Sequence, residues 1–257
     1  MKKIHDFNVY ANHRLNPDTF ILELKAQEKL PEIFPGQFAQ LKINNHPQVF
    51  LRRPFSIHDV DYEKNTISFF IKIIGEGTRS LQKLNKKNSI NLIYPLGNSF
   101  NLSKQNNVLL VGGGTGVAPL LLLSKSLKNK NISPVILIGG HSRNDILQIK
   151  EFEKYCKVLI TTEDGTLGEK GLVTQHSVFQ THKFPFKKIY TCGPELMMKA
   201  IGKFAKKNNI ECEVSLENTM ACGFGACLCC VVETSEGNKC VCTEGPVFNI
   251  KDLKWQI

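Results

Sequence analysis

The sequence predicts a chain of mixed class, with an all-β part, then an α/β part and a small cysteine-rich end. Three observations predict this architecture. Short runs of branched and aromatic residues fill the first hundred residues, strands alternate with helices from about residue 105, and six of the nine cysteines lie between Ala221 and Pro246. A length of 257 residues suits two or three domains. We place the domain boundaries at 1–102, 103–213 and 214–257.

The N-terminal part predicts an antiparallel β-barrel. Turn residues such as "LNPD", "FPGQ" and "DYEKN" separate short strand-like runs, namely "TFILELKA", "QFAQLKI", "TISFFIKII" and "SINLIYPL". Several short strands at this spacing are typical of an antiparallel barrel. One short helix is expected at Thr78–Leu84.

The middle part predicts right-handed βαβ units around a parallel sheet. Strand-like runs such as "SPVILIGG", "KVLITTED" and "KKIYTCGP" alternate with helical stretches, among them "RNDILQIKEFEKY" and "ELMMKAIGKFAKKNN". Parallel strands need such crossover helices, which are right-handed in nearly all proteins. This architecture is typical of nucleotide-binding proteins.

Charge and hydropathy restrict the partners and the compartment. The net charge of +10 comes mostly from scattered lysines, which indicates a solvated surface or a basic face for an acidic protein or anionic cofactors. We expect no nucleic-acid partner, because no basic arm or helix-turn-helix pattern is present. We expect no membrane contact either, since "MKKIHDFNVYANHRL" is no signal peptide and "VAPLLLL" is too short to span a bilayer. The chain is expected to be cytoplasmic, where thiols stay reduced, which argues against disulfides.

A glycine motif opens the middle part. "VGGGTGVAP" places Gly112, Gly114 and Gly116 between a strand and a helix. Glycines let a backbone approach a pyrophosphate, and the free N–H groups of a helix start attract it. The motif is not a P-loop, and a tight turn without a ligand is the alternative. "TCGP" ends a later strand at Cys192, a position where α/β sheets place ligands, but no histidine base identifies Cys192 as a nucleophile.

Two motifs of the barrel point to phosphate. "LRRPFSI" (Leu51–Ile57) carries two arginines, whose planar forks of donors suit phosphate, and Pro54 predicts an edge position. The alternative is an exposed basic strand. "IIGEGTRSL" adds Gly75 and Gly77 before a short helix, a second start suited to an anion.

The cysteine spacing indicates an iron–sulfur cluster. Cys222, Cys227 and Cys230 follow C-x4-C-x2-C with a later fourth cysteine, the plant-type spacing for [2Fe–2S]. On geometry the fourth ligand is Cys240 or Cys242, because both would point to the same face of a strand. Zinc is the alternative, but "CVC" is a poor match to C-x2-C. A metal centre would also stabilise a segment too small for its own core.

Together these motifs resemble one family. "RPFS", "GEGT", "YPLGNSF", "VGGGTGVAPL", "CGPELMM", "MACGFGAC" and "VCTEGPVF" are similar to the electron-transfer subunits of two-component, NAD-dependent dihydroorotate dehydrogenases, in the ferredoxin reductase superfamily. The resemblance implies an FAD-binding β-barrel, an NAD-binding α/β domain and a C-terminal [2Fe–2S] domain.

The resemblance also implies site residues. FAD is assigned to Arg53, Pro54, Phe55, Ser56, Phe70, Ile71, Lys72, Gly77 and Thr78. NAD is assigned to Gly112, Gly113, Gly114, Thr115, Gly116, Cys192, Gly193 and Pro194. The cluster is assigned to Cys222, Cys227, Cys230 and Cys242, because the family places its last cysteine directly before x-[DE]-G-P, here "CTEGP". Cys229 and Cys240 are additional to the family pattern. No separate catalytic residue is assigned.

The function that the resemblance implies is electron transfer. Electrons would run from an FMN-containing dihydroorotate dehydrogenase catalytic subunit, in a heterotetramer, through the cluster and FAD to NAD⁺ in de novo pyrimidine biosynthesis. Alone, the chain is expected to oxidise NADH with an artificial acceptor. The alternatives are a subunit of a ferredoxin- or hydrogenase-linked NAD(P) oxidoreductase and a non-enzymatic zinc-binding or redox-sensing module.

Overall fold

The structure is a computed structural model that describes residues 2–44, 48–104, 106–181 and 184–255. Its N-terminal part is one antiparallel sheet of seven strands in the order β4-β3-β7-β1-β2-β6-β5. The strands are β1 (Lys3–Asn16), β2 (Thr19–Ala26), β3 (Phe38–Leu41), β4 (Arg53–Ser56), β5 (Asp59–Asp61), β6 (Thr66–Lys72) and β7 (Ser89–Leu96). A short helix, α1 (Glu76–Gln82), follows β6.

This sheet curls into the predicted barrel. Pairing between β1 and β2 shifts register at two points, and such bulges bend and twist a strand. The bend brings the edge strand β4 against β6, although they are far apart in the sheet order. Alternate residues of β2, such as Phe20, Leu22 and Leu24, are wholly buried inside. The antiparallel barrel is therefore confirmed.

The second sheet confirms the α/β prediction. Its order is β11-β10-β9-β8-β12-β13-β16, where β16 is Val247–Asn249, and all pairs are parallel except the last one. Its parallel strands are β8 (Val108–Gly113), β9 (Val135–Gly140), β10 (Lys157–Thr162), β11 (Glu169–Lys170), β12 (Lys188–Cys192) and β13 (Glu211–Ser215). The helices are α2 (Ala118–Asn129), α3 (Ile149–Glu153) and α4 (Glu195–Lys207).

One helix is shorter than the sequence predicts. The stretch "RNDILQIKEFEKY" begins with a single 3₁₀ turn at Arg143–Asp145, and α3 starts only at Ile149. Between them Gln148 adopts a left-handed conformation with φ of 64°. A left-handed residue cannot continue a right-handed helix, so the prediction of one continuous helix is wrong here.

The cysteine-rich end contains strands that the sequence did not reveal. A hairpin of β14 (Val231–Thr234) and β15 (Gly237–Cys240) follows the first cysteines, and β16 (Val247–Asn249) adds an antiparallel edge to β13. Strands of three or four residues are too short to show an alternating pattern. The buried residues of this end share a core with β12, β13 and α4. The domain boundaries stay a prediction.

A buried ion pair anchors the chain that joins the two sheets. The ammonium Nζ of Lys188 donates to the carbonyl of Asn101 at 2.9 Å and to Oε1 of Glu213 at 2.9 Å. The other carboxylate oxygen of Glu213 accepts from the Asn101 amide at 2.9 Å, and the Tyr190 hydroxyl donates to the Asn101 carbonyl at 2.6 Å. The connection is thereby held against β12 and β13. Among the described helices none is long and apolar enough to cross a membrane.

Candidate functional site

The motifs assigned to FAD come together where the barrel closes. β4 carries "RPFS" and lies against β6, and α1 begins beside Arg53. A Cβ atom added to Gly77 would lie 3.2 Å from Nε of Arg53, so the glycine leaves room for the guanidinium. Pro54, Phe55 and Ser56 are half-buried along the same edge strand, as Pro54 led us to expect.

The two arginines of this motif have different surroundings. Arg52 donates to the carbonyl and the side-chain oxygen of Asn91 at 3.0 and 2.5 Å and to the Gln40 carbonyl at 3.3 Å. Arg53 donates to the carbonyls of Leu51 and Arg52 at 2.8 and 3.4 Å, next to α1. Arg52 therefore links two strands of the barrel through hydrogen bonds. Arg53, which lies beside the start of α1, is better placed to bind a phosphate.

The remaining residues assigned to FAD can contribute mainly through their backbone. Ile71 is wholly buried in the barrel core, and Phe70 packs on His58 with ring centroids 5.6 Å apart. Lys72 is exposed, 3.5 Å from Asp18. The hydroxyl of Thr78 already accepts from the backbone amides of residues 74 and 75 at 3.0 and 3.1 Å. Contacts with FAD at these positions stay predictions.

The two motifs assigned to NAD pack directly on each other. β8 and β12 are neighbours, so both motifs lie at the carboxyl edge of the sheet. A Cβ atom on Gly116 would come within 2.3 Å of the Cys192 carbonyl, so only glycine allows this approach. Gly193, which follows β12 and has φ of 150°, lies against the backbone of Gly113 at the end of β8.

A cleft of about 470 Å³ opens beside these motifs, a size that suits a small-molecule or cofactor site. Of the residues assigned to NAD, Gly113, Gly114 and Pro194 line it. The sequence analysis missed several other lining residues, including His141, Asp145, Thr161, Glu163, Leu196 and Met197. Glu163 follows β10 directly, and its place beyond the carboxyl end of a parallel strand was the signal that could have found it.

Cys192 is positioned as a buried thiol. It has no exposed surface, and burial, with the nearby Glu217 carboxylate, raises the pKa of this thiol well above its ordinary value. Its sulfur lies 4.0 Å from Oε1 of Glu217, which borders a second cleft of about 270 Å³ with Trp255 on its wall. A neutral thiol is a poor nucleophile, which supports the prediction that Cys192 is not a nucleophile. Contact between Cys192 and the nicotinamide stays a prediction, because Cys192 is not among the residues that line the NAD cleft.

The four predicted cluster ligands form two contacting pairs. The thiols of Cys222 and Cys227 contact each other, and those of Cys230 and Cys242 form the second pair. Among the described residues, no group of three or more histidine, cysteine or acidic side chains converges on one metal position. Two pairs fit a [2Fe–2S] cluster, in which four cysteines are shared between two irons.

Backbone amides are directed at these sulfurs. The amide of Phe224 donates to Sγ of Cys222 at 3.5 Å, and the amide of Cys242 donates to Sγ of Cys230 at 3.4 Å. Desolvation raises the pKa of the Cys222 thiol, but hydrogen bonds from the backbone amides of the loop outweigh this effect and bring the pKa down to about 6. The loop therefore favours thiolate, the form that binds metal.

Two cysteines compete for the fourth position. Cys240 ends β15 and Cys242 lies in the turn beyond it, yet both thiols contact Cys230. Cys242 is wholly buried and also accepts from the backbone amide of Gly225, inside the loop of the first ligands. This contact supports Cys242, which stays a prediction. Cys229 is exposed, and all nine cysteines lie in the described residues without a disulfide.

Comparison with known proteins shows which domain families and relatives this chain resembles. Residues 217–254 match the iron–sulfur cluster binding domain of dihydroorotate dehydrogenase B, and residues 110–203 match the oxidoreductase NAD-binding domain. The chain is 34% identical to the dihydroorotate dehydrogenase B (NAD(+)) electron transfer subunit of Fusobacterium nucleatum, over 98% of this chain and 99% of that protein. It is 38% identical to the subunit of the same name from Caldanaerobacter subterraneus, over 93% and 94% of the two chains.

Solved structures show the same fold. One chain of an NADH-dependent reduced ferredoxin-NADP oxidoreductase superposes with a TM-score of 0.86 and 28% identity, over 97% of this chain and 90% of that one. The ferredoxin reductase of carbazole 1,9a-dioxygenase, at 18% identity, shares the fold with a TM-score of 0.70, over 81% and 67%. These findings confirm the predicted fold and the cofactor set of FAD, a [2Fe–2S] cluster and NAD. The chain belongs to the family of the electron transfer subunit of NAD-dependent dihydroorotate dehydrogenase B.

Proposed function

We propose that this chain carries electrons between a dihydroorotate-oxidising, FMN-containing catalytic subunit and NAD⁺, in de novo pyrimidine biosynthesis in the cytoplasm. The observation that carries the proposal is the position of the two thiol pairs. The pair Cys222 and Cys227 lies on a loop that packs against β3 of the barrel, next to the strand that holds Arg53. The pair Cys230 and Cys242 shares a core with Phe38 of β3. The barrel in turn packs through Phe70 on α2, which begins after the glycine motif of the NAD cleft.

Each part of the chain then has a distinct task. A flavin, when bound, can exchange two electrons with a nicotinamide and one at a time with a cluster. Arg53 supplies the cation that holds phosphate at the barrel edge, and Gly77 gives it space. The glycine turn and Pro194 shape the cleft for the dinucleotide. The paired cysteines, with amides directed at their sulfurs, hold the cluster.

An apolar patch beside the cysteines suits the catalytic partner. Phe224 and Leu228 lie within the cysteine loop and are 49% and 64% exposed. Phe34, 44% exposed, is a further apolar residue of the barrel. Exposed aromatic and aliphatic residues of this kind commonly mark interaction sites. A partner bound over this loop would bring its own cofactor close to the cluster.

The test is reconstitution with the FMN-containing subunit from the same organism. We expect the purified complex to contain FAD and iron and to reduce NAD⁺ when dihydroorotate is added. The chain alone should oxidise NADH with an artificial acceptor but should not oxidise dihydroorotate. A flavin- and iron-loaded complex that leaves NAD⁺ unreduced would contradict the proposal.

The structural likeness to a reduced ferredoxin-NADP oxidoreductase supports a second candidate. In that case the same cofactors would connect reduced ferredoxin with NAD(P). The two candidates differ in the electron donor, so the reconstituted complex should be offered dihydroorotate and reduced ferredoxin in parallel. Reduction of NAD⁺ or NADP⁺ by ferredoxin alone would favour the second candidate.

A further inference from the structure

Gln40 is a buried polar residue to which the proposed function assigns no role. It lies in β3, opposite Pro54 of β4, and has no exposed surface. Neither its amide nitrogen nor its amide oxygen has a hydrogen-bond partner. Folded proteins rarely leave a buried amide unpaired, because it has lost its water without compensation. Both amide atoms of Gln40 are therefore available to hydrogen-bond with a group that binds at this site.

The position of the side chain shows where that group lies. Residues 38 and 40 share one face of β3, and Phe38 belongs to the core that contains Cys230 and Cys242. A Cβ atom on Gly223 would come within 2.6 Å of Nε2 of Gln40. Gly223 follows the ligand Cys222 and has φ of 78°. The amide of Gln40 is thus packed under the first turn of the cysteine loop.

We propose that the Gln40 side-chain amide donates a hydrogen bond to a sulfur of the [2Fe–2S] cluster and thereby raises its reduction potential. A flavin on the outer surface of the barrel could not touch this amide without displacing the loop, because no solvent reaches either amide atom. The amide instead faces the turn at Gly223, directly after Cys222, which is one of the predicted cluster ligands. Hydrogen bonds to sulfur are one of the means by which proteins set cluster potentials.

The direction of the effect follows from charge. Reduction adds an electron to the cluster, so a donor to its sulfur stabilises the reduced form more than the oxidised form. Removal of the donor should therefore lower the potential. We expect the ratio of reduced to oxidised cluster at a fixed potential to fall about tenfold, which is about 59 mV for one electron. The inference rests on the proposed function, because it requires the cluster.

The experiment compares Gln40→Met with Gln37→Met in the complex with the catalytic subunit. Gln37 is a matched control, because its amide accepts from Phe34 at 2.9 Å and donates to Gly97 at 3.1 Å. Midpoint potentials of cluster and FAD are measured by titration, with the electron paramagnetic resonance signal for the cluster and absorbance for the flavin. Gln40→Met should lower the cluster potential and leave that of FAD unchanged, whereas Gln37→Met should move neither.

Gln40→His serves as a rescue, since imidazole retains an N–H donor. A potential between those of the wild type and Gln40→Met supports the inference, and so does cluster retention in Gln40→His if Gln40→Met loses its cluster. An unchanged cluster potential in Gln40→Met would refute the inference, and so would a potential shift confined to FAD. Loss of the cluster from both Gln40→Met and Gln40→His would also refute it. Absence of the cluster signal from the wild type would instead contradict the proposed function.

Discussion

Replacement of Lys188 by methionine tests the ion pair that holds the connection between the two sheets. The side chain of Lys188 is 4% exposed and that of Glu213 is 8% exposed. Removing one partner of a buried pair typically costs about 3–5 kcal/mol, because the other charge stays buried. Since the Asn101 amide still donates to Glu213 in the variant, we take the lower end, about 3 kcal/mol. For a chain of this size that corresponds to a fall in Tm of roughly 6–12 °C.

Thermal unfolding followed by circular dichroism measures this fall. The matched control is Glu211→Gln, because Glu211 contacts the same ammonium at 2.6 Å but is 49% exposed. An exposed partner contributes about 1 kcal/mol at most, so its Tm should fall by roughly 4 °C or less. Lys188→Met combined with Glu213→Leu should recover most of the loss, since an apolar pair replaces the buried charge. Equal shifts for Lys188→Met and Glu211→Gln would refute the reasoning.

The pH dependence gives a second check. Burial lowers the pKa of Lys188, but its hydrogen bonds with Glu211 and Glu213 outweigh burial, and the pKa lies above its ordinary value of 10.5. A raised pKa stabilises the fold fully below 10.5, and the contribution is lost as the pH rises through the raised value. The difference in Tm between wild type and Lys188→Met should therefore narrow in strongly alkaline buffer.

Three further predictions concern the cofactors. Arg53→Ala should bind FAD about tenfold or more weakly, while Arg52→Ala should retain flavin; equal flavin content in wild type and Arg53→Ala would disprove the assignment. The rate of NADH oxidation by Cys192→Ser should stay within about tenfold of the wild-type rate, because loss of an acid–base group would lower the rate about a hundredfold or more. Complete loss of NADH oxidation in flavin-loaded Cys192→Ser would contradict this prediction. Cys242→Ser should lose iron and the cluster signal while Cys240→Ser keeps both; the reverse pattern would make Cys240 the fourth ligand.

The sequence alone determined the family, the order of the parts and the type of cofactor chemistry. These features depend on local patterns: strand and helix periodicity, the G-x-G-x-G turn at Gly112–Gly116 and the C-x4-C-x2-C spacing. A spacing motif can be recognised without knowing its neighbours, because its ligands are held by one short loop. The strands β14 and β15 and the break at Gln148 were missed, because four-residue strands and single left-handed residues leave no periodic signal.

Only the tertiary structure decided which side chains are free to act. Arg52 and Arg53 are neighbouring residues of the same type, so the sequence alone does not distinguish them. In the structure Arg52 donates hydrogen bonds to Asn91, which is distant in the chain, whereas Arg53 lies beside Gly77. In the same way Gln40 is an ordinary strand residue until Gly223 covers it without supplying a hydrogen-bond partner. Burial and pairing arise from contacts between distant segments, and such contacts are not encoded in local periodicity.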